Sequence, residues 1–332
     1  MHTYIIAEAG VNHNGDLELA KRMVDAAADA KADAVKFQTF IPENVMSHFA
    51  EKAEYQKETT GADESQLDMI RKLYIPFEGF GDIKKYCDER GIAFMSTPFD
   101  IESLRFLNTL DMPYLKIPSG EITNLPLLIE AAKLGIPVIL STGMSNMDEI
   151  AFARKMLLDY GAPEVSLLHC NTAYPTFFKD ANLRAMLDIK AHFPDARVGY
   201  SDHTLGICCP VAAVAMGAEI IEKHFTLSRD MEGPDQSASL EPDELKEMVE
   251  SIRNIEVALG DGIKKPSQAE LVNKDVARKS IIAARDIKAG ETFTYENLTV
   301  KRPGSGISPI KWFDVIGQKA KRDFAYDELI EL

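Results

Sequence analysis

The residues best suited to chemistry are two histidines, His203 and His224, two lysines, Lys36 and Lys116, and two glutamates, Glu8 and Glu121. Each stands near the polar end of an apolar run. Neutral imidazole is a common ligand for Mn, Fe, Zn and related ions. Two imidazoles alone leave coordination positions for water and substrate, which suits Lewis-acid catalysis. The spacing is not a specific metal motif. The pair, beside Asp202 and Glu222, puts ligation on even terms with a structural role. A lysine facing a protein interior is costly unless it meets an anion. Ser119, Ser141, Thr142, Ser201 and the Asn171–Thr172 pair add donors at the same level. This inventory suits a phosphate or a carboxylate. Simple pairing of each lysine with Glu8 or Glu121 is the structural alternative, and a Schiff-base lysine is the other chemical one. Glu8 and Glu121 could orient a water or act as acid or base. Lysines and a metal around them are expected to pull their pKa values down. Gly10, Gly120 and Gly143 suit tight turns after strands. None begins a GxGxxG or GxxxxGK[ST] pattern, so a nucleotide loop is not indicated.

The elements that must position these groups recur eight times. They are 4–10, 34–40, 93–99, 114–121, 138–143, 165–172, 198–203 and 219–226. Each opens on β-branched or large apolar residues and closes on a charged, hydroxyl or imidazole side chain. Eight such strands separated by helical patterns predict a (β/α)8 TIM barrel, whose chemistry sits at the C-terminal strand ends. Strand alternation puts Lys36 and Gln38 on one face and Val35 and Phe37 on the other. Helices are predicted over 17–31, with Asp16 as N-cap, over 147–160 and over 242–259. The connection 41–76 is too long for a simple turn. It contains Tyr55, Gln56, Thr59, Thr60, Gly61, Glu64 and Ser65, and reads as a lid or an interface element. The barrel is expected over 1–259. A polar, Gly- and Pro-punctuated linker follows over 260–279, then a β-rich unit over 280–332. About 50 residues make a marginal core, so that unit is expected to dock on the barrel or on another subunit.

The chain has 332 residues, 45% of them hydrophobic, and a net charge of −15. That charge argues against nucleic acid or an anionic membrane as partner, while a small anionic substrate in a closed pocket is still allowed. Cys87, Cys170, Cys208 and Cys209 form no CxxC pair and read as reduced core thiols of a cytoplasmic protein. No secretory leader and no 18-residue apolar stretch is visible.

The stretches EAGVNHNG (8–15), KFQTF (36–40), ESQL (64–67), STPFD (96–100), KIPSGEITN (116–124), STGM (141–144) and LLHCNTAYP (167–175) run in order along the chain. SDHT (201–204), EKHFT (222–226), GPD (233–235), ARKS (277–280) and KRPGSGIS (301–308) complete the set. With these motifs the sequence resembles the sialic acid synthase family, and is close to its legionaminic acid synthases. The resemblance implies a barrel joined to a small antifreeze-like (SAF) domain. It implies a divalent metal, Mn2+ or Mg2+, on His203 and His224. Phosphoenolpyruvate would lie against Lys36, Lys116, Ser119, Ser141 and Ser201, and the acceptor sugar against Gln38, Tyr174 and Asp235. Glu8 and Glu121 match active-site glutamates. Arg302 would reach the active site of the partner in a domain-swapped homodimer. Some members have Thr-Asn where this chain has Asn171–Thr172, which leaves open which of the two meets phosphoenolpyruvate. The activity expected first is N-acetylneuraminate synthesis from phosphoenolpyruvate, N-acetylmannosamine and water. The alternative is N,N'-diacetyllegionaminate synthesis from 2,4-diacetamido-2,4,6-trideoxymannose. A pseudaminic acid synthase, a metal-free Schiff-base aldolase on Lys116 and a non-catalytic sugar-binding protein stand further back.

Overall fold

The computed structural model describes residues 2–47, 49 and 65–332. Eight strands form one parallel sheet: β1 (Tyr4–Gly10), β2 (Ala34–Thr39), β3 (Ala93–Pro98), β4 (Leu115–Ile117), β5 (Val138–Ser141), β6 (Val165–Cys170), β7 (Val198–Asp202) and β8 (Ile220–His224). Their order is β3-β2-β1-β8-β7-β6-β5-β4, and β3 lies against β4, so the sheet closes on itself. The fold is the expected α/β barrel with a second, small β-rich unit.

The period-2 rule explains what the barrel holds. Ile6, Ala34, Met95, Ile139, Leu168 and Ile220 point inward and make one apolar layer. Two residues further along the same strands stand Glu8, Lys36, Thr97, Ser141, Cys170 and Glu222. The layer above the apolar plug is therefore polar throughout. Residues of the other parity, among them Ile5, Val35, Phe37 and Phe94, join the core between sheet and helices.

The helices form where the pattern requires. The first, Leu17–Asp29, starts at Asp16, whose carboxylate accepts from the N–H groups of Glu18 and Leu19, and it buries Ala20, Met23, Val24 and Ala27. The helices expected over 147–160 and 242–259 run Met147–Asp159 and Pro242–Ala258. β4 is shorter than expected. Pro118 has no N–H to continue the ladder, and the chain turns into a 3-10 turn at Ser119–Glu121. Part of the long connection after β2, with Tyr55, Gln56, Thr59, Thr60, Gly61 and Glu64, lies outside the described residues. Ser65 caps the helix Gln66–Lys72.

A second compact unit spans Asp261–Leu332. There β9 (Ser280–Ala283) pairs antiparallel with β10 (Leu298–Lys301) over a core that includes Ile281, Ile287, Phe293 and Phe324. The stretch expected as a linker holds a helix, Gln268–Ala277, started by a reciprocal Ser267–Glu270 capping box. That S-x-x-E signal stood in the sequence and was masked by the surrounding polarity. The cysteines carry no disulfide, and Cys208, at the start of the helix Cys208–Ala215, is exposed rather than in the core, while its neighbour Cys209 is buried. Among the described residues no helix is long and apolar enough to cross a membrane.

Candidate active site

The polar layer opens into a cavity of about 280 Å3 at the C-terminal ends of the strands. Lys36 and Lys116 enter it from β2 and β4, both buried. Lys36 Nζ lies 2.7 Å from Glu8 Oε2 and 3.6 Å from Glu222 Oε2. Lys116 Nζ lies 3.6 Å from Glu222 Oε1. Lys36 also donates to Thr97 Oγ1 at 2.8 Å, and Ser201 Oγ donates to Glu222 Oε1 at 2.9 Å. Glu222 thus bridges the two ammonium groups. It is not among the site residues expected from the sequence, although it stands two positions before His224 on the same face of β8. That spacing is the signal that would have found it.

Burial and neighbours set the charges. Burial works against the Glu222 carboxylate, but Lys116, Lys36 and Ser201 hold its pKa down at about 2. Glu8 goes the other way, against the expectation of a lowered value. Burial pushes it up to about 7, since the attraction of Lys36 is countered by repulsion from Glu222. Lys116 is lowered by burial, which Glu222 only partly offsets. Lys36 is buried too, yet Glu222 and Glu8 leave its pKa raised.

On the opposite side of the mouth the ring centroids of His203 and His224 lie 5.3 Å apart, with Tyr174 packed 4.2 Å from His203 and edge-on to His224. His203 Nδ1 hydrogen-bonds the Asn171 carbonyl, which leaves Nε2 for a ligand. Burial disfavours its protonation, but Cys170, the Asn171 carbonyl and Asp202 more than offset this and raise its pKa. His224 has a buried Nδ1 with no partner, and burial, then His203 and Lys36, keep its pKa well below the usual range. Two imidazoles facing one space, one of them firmly neutral with an unsatisfied nitrogen, fit a shared divalent ion. They would be its two protein ligands: among the described residues no group of three or more His, Cys, Asp or Glu is arranged around a metal position.

The cavity brings together Glu8, Lys36, Gln38, Lys116, Ser119, Ser141, Thr172, Tyr174, Ser201, His203, His224 and Asp235. Ser141 Oγ is buried without a partner, and burial pushes Asp235 up to about 6. Four expected residues are not among those that line it. Glu121 sits in the turn after Pro118 rather than on β4, and accepts from Asn124 Nδ2 at 2.6 Å. Asn171 spends its amide on the Asp180 carbonyl at 3.0 Å, so Thr172 is the one of that pair that lines the cavity. Thr142 donates to the Leu168 carbonyl. Arg302 belongs to the second unit, where its Nε donates to the Ala277 carbonyl. Two glycines are needed where they stand. At Gly10, φ is +54° and a β-carbon would fall 3.4 Å from His224 Cε1. At Gly143, a β-carbon would fall 2.8 Å from Ser119 Oγ, the atom to which the Gly143 N–H donates.

Behind the histidines, on the outward faces of β7 and β8, Asp202 and Lys223 are fully buried and 2.6 Å apart. They are partners in the strand register. Asp202 also accepts from the Thr204 N–H, and Lys223 reaches the Thr204 carbonyl. The residues that carry His203 and His224 are thereby fastened to each other.

Residues 278–331 match the SAF domain model. The N,N'-diacetyllegionaminic acid synthase of Campylobacter jejuni is 52% identical over 99% of this chain and 98% of its own length. That of Legionella pneumophila is 45% identical over 96% and 90%. Among solved structures, the N-acetylneuraminic acid (sialic acid) synthetase of Leptospira borgpetersenii, in complex with citrate, superposes with a TM-score of 0.72. It is 38% identical and covers 82% of this chain and 90% of its own. Residues 23–264 match the NeuB family model, and with relatives this similar along nearly the whole chain, the protein belongs to the NeuB family.

Proposed function

We propose that the protein is a nonulosonate synthase. It condenses phosphoenolpyruvate with 2,4-diacetamido-2,4,6-trideoxymannose and water, giving N,N'-diacetyllegionaminate and phosphate. N-acetylmannosamine is the acceptor expected first from the sequence. The relatives at 52% and 45% identity, both named for legionaminic acid, favour the alternative acceptor instead. The observation that carries the reaction class is the pair of buried ammonium groups, Lys36 and Lys116, held by one carboxylate at the floor of a single cavity.

Phosphoenolpyruvate is a compact polyanion. Lys36, Lys116, Ser119 and Ser141 would take its carboxylate and phosphate, and the unpartnered Ser141 hydroxyl is free to donate. In this desolvated floor each charge-assisted contact is strong. C3 of phosphoenolpyruvate forms the new bond to the aldehyde carbon, and the aldehyde oxygen takes up a proton. Water adds at C2 and gives up a proton, then the C2–O bond to phosphate breaks, the remaining C2–OH proton leaves with the phosphate, and the keto acid forms. Glu8, whose pKa of about 7 lets it carry or accept a proton near neutrality, would serve those transfers. A divalent ion, Mn2+ or Mg2+, on His203 and His224 would polarise the aldehyde oxygen when bound. Gln38, Tyr174 and Asp235 would orient the sugar. Arg302 is proposed, on the family resemblance, to complete the site of a partner subunit in a swapped dimer. Orientation and electrostatics then supply most of the rate.

The test is phosphate release with phosphoenolpyruvate, Mn2+ and each acceptor, with the product mass measured. Turnover with the diacetamido sugar above that with N-acetylmannosamine supports the proposal. Borohydride trapping of pyruvate on Lys116 without phosphate release would replace it with the aldolase reading.

A further inference from the structure

The cavity has two chemically different ends. Over β4 to β6 it is lined by Lys116, Ser119, Ser141 and Thr172. Over β1 to β3 it is closed by Val45, Met46, Met69, Ile70, Leu73 and Phe99. These six belong to an apolar cluster separate from the barrel core, built by the chain after β2 and the helix Gln66–Lys72. Gln66 adds an uncharged polar group at the rim. Among the described residues lining the cavity, the lysines are Lys36 and Lys116, and there is no arginine. Both lysines lie in the floor, tied to Glu8 and Glu222.

This polarity orients the acceptor. The anionic substrate takes the end with the lysine and serines, and the reacting aldehyde must lie beside it, near the histidines. The far end of the sugar then points at the apolar wall. We infer that this wall reads the C6 substituent of the acceptor, selecting a methyl group over a hydroxymethyl group and rejecting a phosphate. A methyl group gains by burial against Val45, Met46 and Ile70. A hydroxyl there gives up its water for side chains that offer no strong donor or acceptor. A phosphate would meet no cation among the described residues of this wall. The inference rests on the synthase reading and assigns a substrate class to the same site.

The experiment compares three acceptors on one scaffold: 2,4-diacetamido-2,4,6-trideoxymannose, its 6-hydroxy counterpart and the 6-phosphate of the latter. An apolar pocket rejects an added hydroxyl by at most ~100-fold. The expected kcat/KM preference for methyl over hydroxymethyl is therefore about 10- to 100-fold, with the phosphate weaker still. Met46→Lys, at a half-buried position that can hold the longer side chain, should narrow the methyl-to-phosphate ratio at least about 10-fold. The KM for phosphoenolpyruvate should stay within about twofold, since Met46 stands at the other end. Equal use of the three acceptors, or a Met46→Lys effect equal on all of them, overturns the inference and leaves the synthase standing. Phosphate release with none of them sinks both.

Discussion

Replacing Glu222 with glutamine tests the electrostatic design of the floor directly. The carboxylate lies 3.6 Å from each ammonium group. At an effective dielectric of about 20, each pair is worth about 4–5 kcal/mol of gross attraction. Desolvation of the charges cancels much of this, and breaking a buried ion pair on one side costs a net ~3–5 kcal/mol. Lys36 keeps Glu8 at 2.7 Å, whereas Lys116 has no other ion pair among the described residues. The cost therefore falls on Lys116, whose pKa burial already lowers. A lysine depressed in the folded state destabilises it while protonated in the unfolded chain, so the loss should shrink as pH rises toward 10. A bound anion should replace the missing carboxylate. In urea denaturation at neutral pH, the Glu222→Gln protein should lose about 3 kcal/mol or more. Inorganic phosphate should raise its stability more than that of the parent, by the binding linkage. Turnover should fall while the KM for phosphoenolpyruvate falls or holds. A variant within about 0.5 kcal/mol of the parent, with no extra protection by phosphate, would refute the shared-counterion account.

Other expectations follow from the same geometry. His224→Ala should abolish metal-dependent turnover and weaken Mn2+ binding by calorimetry, while circular dichroism stays unchanged; full activity of the parent after chelation would count against the ligand pair. Lys116→Met should impair phosphoenolpyruvate use by ~2–4 kcal/mol in kcat/KM, and unchanged kinetics would reject the anion clamp. Asp235, raised to about 6 by burial, destabilises the fold as pH rises through that value. Asp235→Asn should therefore gain on the parent between pH 4 and pH 8, by up to about 3 kcal/mol, and parallel stability curves would disprove it. Mixing inactive Arg302→Ala and His224→Ala proteins, with exchange confirmed by mass, should restore activity in mixed dimers if the small unit serves its partner; no recovery removes the swapped arrangement.

Much of the barrel could be read from the chain because its strands repeat one pattern, apolar body and polar end. Lys36 with Gln38 and Glu222 with His224 sit two apart, and strand periodicity alone places each pair on one face. The reading failed where local chemistry overrode that period. Pro118 cut β4 short and carried Glu121 into a turn, away from the cavity. Asn171 turned its amide to Asp180, a partner nine residues on that no spacing rule would pick. The raised pKa of Glu8 was hidden because charge counting sees Lys36 but not the depth of burial or the competing Glu222. The apolar wall escaped notice for a similar reason, since Val45, Met46 and Ile70 read as ordinary core residues until the cavity shows what they face.

The Asp202–Lys223 pair has a consequence for how the barrel assembles. Ladders of aliphatic residues can slide by a residue at little cost, because one branched side chain fits much like another. A slide of β8 against β7 would turn Lys223 toward the mouth and strand Asp202 among the helices without its counterion. The same slide would send His224 outward. The chain thus couples the misplacement of a reactive group to a heavy folding penalty on the far side of the same strand.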